Sequence, residues 1–168
     1  MTDGQSMRER FVRDHDRIAQ IASEVTVMFS SPSPPDALML SKARWTFASN
    51  LMQHLAIKER HLYAKLEADA RREVTQAFAC SKADLLRLFD QYTEYVEAWP
   101  TAEALSSWPS YRIKALAVVN TFVARLKKEE VELFDLVDRF GIDMSTPSPV
   151  TISWTRKAFE LKAKVEDH

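Results

Sequence analysis

Along four long segments of the chain, apolar residues recur at intervals of three and four, the period of an amphipathic helix. The first stripe runs Phe11, His15, Ile18, Ala22, Val25 and Phe29. The second holds Phe47, Leu51, His54 or Leu55, Lys58, Leu62 and Leu66. The third holds Phe78, Ser81, Leu85, Leu88, Tyr92, Tyr95 and Trp99. The fourth runs Val119, Phe122, Leu126, Glu129, Leu133, Leu136 and Phe140, and Gly141 then offers a C-cap. His15, His54, Lys58 and Glu129 are thus polar or charged residues on core-facing positions.

Proline and serine clusters punctuate the pattern. "SSPSPP" at 30–35 ends the first segment, "WPTAEALSSWPS" at 99–110 connects the third and fourth, and "FGID" with "STPSP" closes the fourth. The boundary between the second and third falls in "LEADARREV", which has no Gly or Pro. It is placed there because one helix from Asp36 to Trp99 would far exceed ordinary helix lengths. Beyond the fourth, "TISWTRKAFELKAKVEDH" predicts a short helix that Trp154, Phe159 and Leu161 would dock on the rest. Helices are expected over residues 5–29, 36–67, 72–99, 109–140 and 152–166. The fold class that follows is all-α, one domain over 1–168: an up-down-up-down four-helix bundle with a short additional C-terminal helix.

Composition narrows the function without naming it. The chain is 46% hydrophobic and 28% charged, with a net charge of −1, which suits a globular domain and argues against a nucleic-acid partner. The longest apolar stretch, at 115–126, is too short to span a membrane, and "MTDGQSMRER" lacks a secretory apolar region, so a cytoplasmic location is expected. Cys80 forms no disulfide framework and is expected at a core or boundary position. Trp108 and Trp154 are expected to be exposed, which would permit a homodimer or an unknown protein partner.

The two halves of the chain echo one another. His54 to Tyr63, "HLAIKERHLY", aligns with Arg125 to Phe134, "RLKKEEVELF", with Glu, Leu and an aromatic residue coinciding. At nearly the same offset, Asp14-His15-Asp16-Arg17-Ile18 matches Asp84-Leu85-Leu86-Arg87-Leu88. "DHDRI" on the first helix, with this pattern on the second and fourth, resembles the hemerythrin-like, HHE cation-binding family over about the first 140 residues. The resemblance implies a four-helix bundle with a non-haem di-iron centre that binds or senses dioxygen or handles iron.

The ligand set which the resemblance implies is only partly present. His15 and His54 match family histidines, but Lys58 stands where a bridging carboxylate is expected. On the fourth helix Arg125 replaces a histidine, and the bridging carboxylate is Glu129, or Glu130 if the spacing is one longer. The third helix carries no histidine, with Leu85 opposite His15 in the echo, and Ala64 and Asp135 replace the family's prolines. His15, His54 and Glu129 remain a chemically sensible set for one iron or zinc ion. A lysine about 4 Å from a divalent ion would oppose it by roughly 8 kcal/mol at an effective dielectric of 20. The expectation is therefore no cofactor, with iron as the alternative. Lys58, Arg125, Glu129, His15 and His54 would then form a polar core cluster in place of the metals.

Plainer roles exist for each residue. His15 could be a buried histidine satisfied by a neighbouring group, and Lys58 and Arg125 could lie with stems on the core and heads turned outward, Arg125 towards the flank of its stripe. His61 is expected at the boundary, Tyr92 and Tyr95 in the core, and "KKEEVE" at 127–132 mostly on the solvated face with Glu129 its one inward residue. No nucleophile–base pair, phosphate loop or paired-acid arrangement occurs, so no enzymatic role is expected. A non-enzymatic interaction or regulatory module is expected. The alternatives are residual mononuclear metal binding, dioxygen or redox sensing, and a haem or small-molecule site with His15 or His54 as axial ligand.

Overall fold

The computed structural model describes residues 3–149 and 160, with side chains from Met7 onward. The expected C-terminal helix, with Trp154, Phe159 and Leu161, lies outside the described residues save for Glu160. The bundle is built from α1 (Asp3–Ser30), α2 (Ala37–Lys58), α4 (Arg72–Ala98) and α6 (Trp108–Phe140). Between α2 and α4 the helix continues through a π-helical turn, Glu59–Tyr63, into a last α-turn, α3 (Ala64–Glu67). A short helix, α5 (Thr101–Ser106), precedes α6. Helix α1 packs on both α2 and α6, and α4 on both α3 and α6, giving the up-down-up-down arrangement.

Local sequence explains the element ends. Asp36 caps α2, its carboxylate accepting from the Met39 N–H at 2.8 Å. Trp99 and Pro100 stop α4, since proline lacks the donor and restricts the residue before it. Pro109 sits in the first turn of α6, where no donor is needed. Gly141 takes the left-handed conformation, φ 62°, and Ile142 N–H closes back on Val137 O at 3.1 Å. Among the described residues no helix is long and apolar enough to cross a membrane.

The core stripes fall as expected on α1, on α2 with its continuation through α3, and on α6 up to Leu136, but Phe140 is only half-buried and the structure differs in other particulars. On α4 Leu88 and Trp99 are only half-buried, whereas Phe89 and Val96 are fully inside. The connection at 99–110 contains α5, whose Ala104 is buried, so the segment is a docked turn and not an open linker. Trp108, expected on the surface, is 2% exposed; its indole N–H donates to Ser31 O at 2.9 Å and so ties the start of α6 to the end of α1. Cys80, expected in the core or at its boundary, is exposed, because it falls outside the stripe set by Phe78, Ser81 and Leu85.

The π-turn leaves a distinct mark on the surface. Its widened hydrogen bonding joins Ala64 N–H to Glu59 O. The chain after α6 runs across this turn. Ser148 N–H donates to Arg60 O at 3.0 Å, His61 Nδ1 donates to Met144 O at 2.8 Å, and Met144 is itself buried. A backbone carbonyl of the irregular turn is thereby satisfied by a segment distant in sequence.

Candidate functional site

The five polar residues singled out from the sequence are all buried in one layer between the four helices. At its centre Lys58 is 0% exposed and its ammonium contacts the Glu129 carboxylate at Oε2. Tyr63, on the π-turn, donates its hydroxyl to Glu129 Oε1 at 2.6 Å, and its ring lies 5.2 Å from the lysine nitrogen. The Lys58 stem cannot snorkel from here, because helices enclose it on every side.

Arg125 also points inward, not towards the flank. Its Nη2 donates to Ser81 Oγ, its Nη1 lies 3.5 Å from Asp84 Oδ2, and its Nε lies 4.0 Å from Glu129 Oε1. The two carboxylates and the Ser81 hydroxyl hold the guanidinium in place. On the opposite side of the layer His15 and His54 meet edge to face, ring centroids 4.6 Å apart. His15 Nδ1 is bonded to Glu130 Oε1, and His54 Nδ1 lies 3.2 Å from Asp14 Oδ2. Phe11 and Phe134 pack against these rings.

Burial sets the protonation states. It draws His15 down to about 2, helped by the positive charges of Lys58 and His54. It draws His54 down to about 4, with Lys58 adding to the effect and the bond to Asp14 opposing it. Both imidazoles are therefore neutral at pH 7. Each places its Nδ1–H on a carboxylate, so each Nε2 carries a lone pair, and neither Nε2 has a hydrogen-bond partner among the described residues. Burial and the neighbouring Arg125 pull Lys58 below the usual lysine range, against the attraction of Glu130, while the Glu129 carboxylate in direct contact favours the charged ammonium.

Sequence reasoning missed several members of this layer. Glu130 is not simply part of a solvated face, since it reaches His15 from the edge of the core. Asp14, Tyr63, Ser81 and Asp84 complete the network, and Glu59 is buried beside it. The internal echo contained the missing signal. Asp14 and Asp84 are its matching residues, as are His54 and Arg125, and the structure joins Asp14 to His54 and Asp84 to Arg125. Lys58 and Glu129, also matched, meet each other at the centre.

Among the described residues no group of three or more His, Cys, Asp or Glu side chains converges as a metal ion would require. Comparison with known families matches residues 6–137 to the Hemerythrin HHE cation binding domain. No curated protein and no solved structure matches the chain. The match spans well over half of the sequence, and the chain belongs to the hemerythrin HHE cation-binding family.

Proposed function

We propose that this protein is a hemerythrin-family bundle in which an ion-pair network has replaced the di-iron centre, and that it acts as a non-enzymatic interaction or regulatory module. The observation that carries the proposal is the Lys58–Glu129 contact. A wholly buried ammonium occupies the middle of the layer and takes up the carboxylate that would otherwise bridge metals. Arg125 adds a second cation 4.0 Å from the same carboxylate. The residues present do not fit a two-metal site: the anionic donor is engaged, two cations face it, and only two imidazole lone pairs remain.

The network does structurally what bridging ions would do. It links α2 to α6 through Lys58 and Glu129, α4 to α6 through Asp84 and Arg125, and α1 to α2 and α6 through the histidine–carboxylate pairs. A function in partner binding would then fall to the surface. Val27, Leu38, Met39 and Ile113 are exposed apolar residues near the end of α1, the start of α2 and the start of α6, and could contribute to contact with a protein partner or a second copy.

One observation favours a second function, binding a single metal ion. The two free Nε2 atoms, each backed by a carboxylate on Nδ1, have the arrangement that supports imidazole ligands in metal sites. Titration of zinc or ferrous iron into the wild type and into Lys58→Glu separates the two. The ion-pair proposal expects no stoichiometric binding by the wild type and measurable binding by Lys58→Glu, which swaps the obstructing cation for a donor. Stoichiometric binding by the wild type that His54→Ala abolishes would establish the three-residue site instead.

A further inference from the structure

A second buried cation on α2 lies away from the hemerythrin layer. Arg44 stands about four turns before Lys58, roughly 21 Å along the helix at 1.5 Å per residue. It is 7% exposed and has no carboxylate partner among the described residues. Its Nη1 donates to Trp99 O at 2.7 Å, at the C-terminal end of α4, and the Tyr95 and Tyr111 rings each lie 5.9 Å from its Cζ. The carbonyl, the negative helix end and the ring faces offset part of the charge. Nη2 is nevertheless buried with no hydrogen-bond partner among the described residues.

One cavity reaches this guanidinium, and a second, larger one lies beyond it. A small one of about 20 Å³ is lined by Arg44 itself with Tyr92, Tyr95 and Val118, space for one small polar group. A groove of about 510 Å³ between α4 and α6 has Tyr92, Tyr95, Trp99 and Phe122 on its walls and Lys114 and Glu94 on its rim. Its volume falls in the range of about 300–1,000 Å³ usual for small-molecule sites. Tyr92, Tyr95 and Val118 border both spaces.

We propose that Arg44 anchors a binding site for a small organic monocarboxylate with a flat apolar body. The acid enters the inner space and accepts from Nη2, and the body lies in the groove. The Tyr95 and Tyr111 hydroxyls bond to each other at 2.6 Å; with Tyr111 as the donor, the O–H of Tyr95, which lines both spaces, is left for the same carboxylate. The inner space has room for about one oxygen atom, so it admits one oxygen of the carboxylate while the rest of the ligand stays outside it. Parallel aromatic rings, Tyr92 on Tyr95 and Tyr95 on Tyr111, favour an aromatic or unsaturated body. This site does not depend on whether the distant layer holds a metal.

The test is an amide-resolved NMR titration of the full chain with benzoate, 3-phenylpropionate and neutral benzyl alcohol. At least one acid is expected to give saturable shifts centred on residues 88–99 and 114–122, with benzyl alcohol about tenfold weaker or more, the worth of one charge-assisted hydrogen bond. Arg44→Gln should erase the acid's advantage. Since that variant could disturb folding, Val118→Trp, which fills the shared wall and leaves Arg44 in place, should abolish the shifts independently. The site is refuted if neither acid shifts those residues, if benzyl alcohol binds as well as the acids, or if Val118→Trp leaves the shifts intact.

Discussion

Two cations lie buried on the same helix, and the molecule treats them differently. Lys58 is met by a carboxylate in direct contact, a tyrosine hydroxyl that holds that carboxylate, and a second carboxylate nearby. Arg44 is met by a backbone carbonyl and two aromatic faces, with no carboxylate among the described residues. The first is organised around charge; the second is an aromatic layer with one cation set into it. Pairing makes Lys58 and Glu129 depend on each other, whereas Arg44 keeps a donor with no partner among the described residues.

The largest break in this comparison comes from Lys58→Met. It strands Glu129 in the core and should cost about 3–5 kcal/mol in a urea denaturation. The double variant Lys58→Met with Glu129→Leu should recover most of that loss, because a pair replaced by apolar side chains leaves no uncompensated charge. A double variant as unstable as the single would show that the ion pair is not what makes position 58 costly.

Acid should weaken the same layer by a different route. The unfolded chain protonates both histidines near pH 6.5, while the folded chain resists until about 4 at His54 and about 2 at His15. The unfolded state therefore binds more protons throughout this window, and stability falls as pH drops below 6.5. The slope is about 1.4 kcal/mol per pH unit for each histidine. Urea midpoints measured between pH 7 and 4 should show this slope, and His54→Gln should flatten it by about half. An unchanged slope in that variant would mean that His54 is protonated in the fold.

The smallest effect is expected at Arg44. Arg44→Met loses the Trp99 hydrogen bond and two ring contacts but removes a buried charge that has no carboxylate partner among the described residues, so its net cost should stay near or below about 1 kcal/mol. Thermal unfolding beside Lys58→Met would reveal whether the two cations differ as described. Equal losses would erase the distinction.

The Lys58 half of this contrast was legible in the amino-acid sequence; Arg44, which precedes the stripe that begins at Phe47, was not, and what else was missed has a physical cause. The spacing of Phe11, His15 and Ile18, or of His54, Lys58 and Leu62, places a residue inside whether or not it is polar, so the inward positions could be found by period alone. What pairs with them is decided by tertiary packing. Asp14 and Glu130 sit beside their stripes, where a local pattern assigns them to solvent, and only the approach of α2 and α6 to α1 brings them onto imidazoles. The π-turn at Glu59–Tyr63 carries no Gly or Pro to announce it, yet it presents the tyrosine that holds Glu129. Trp108 sits next to Pro109 in what reads as a linker, and its burial depends on Ser31 at the far end of α1.

The central claim is that Lys58 and Glu129 have taken the place of metals. Its most direct test is metal content by mass spectrometry, on wild-type protein expressed in iron-supplemented medium and purified without chelator or nickel. The ion-pair network predicts no stoichiometric iron in the wild type. Two irons per chain would contradict it, because Lys58 would then have to point away from the layer in which it is buried.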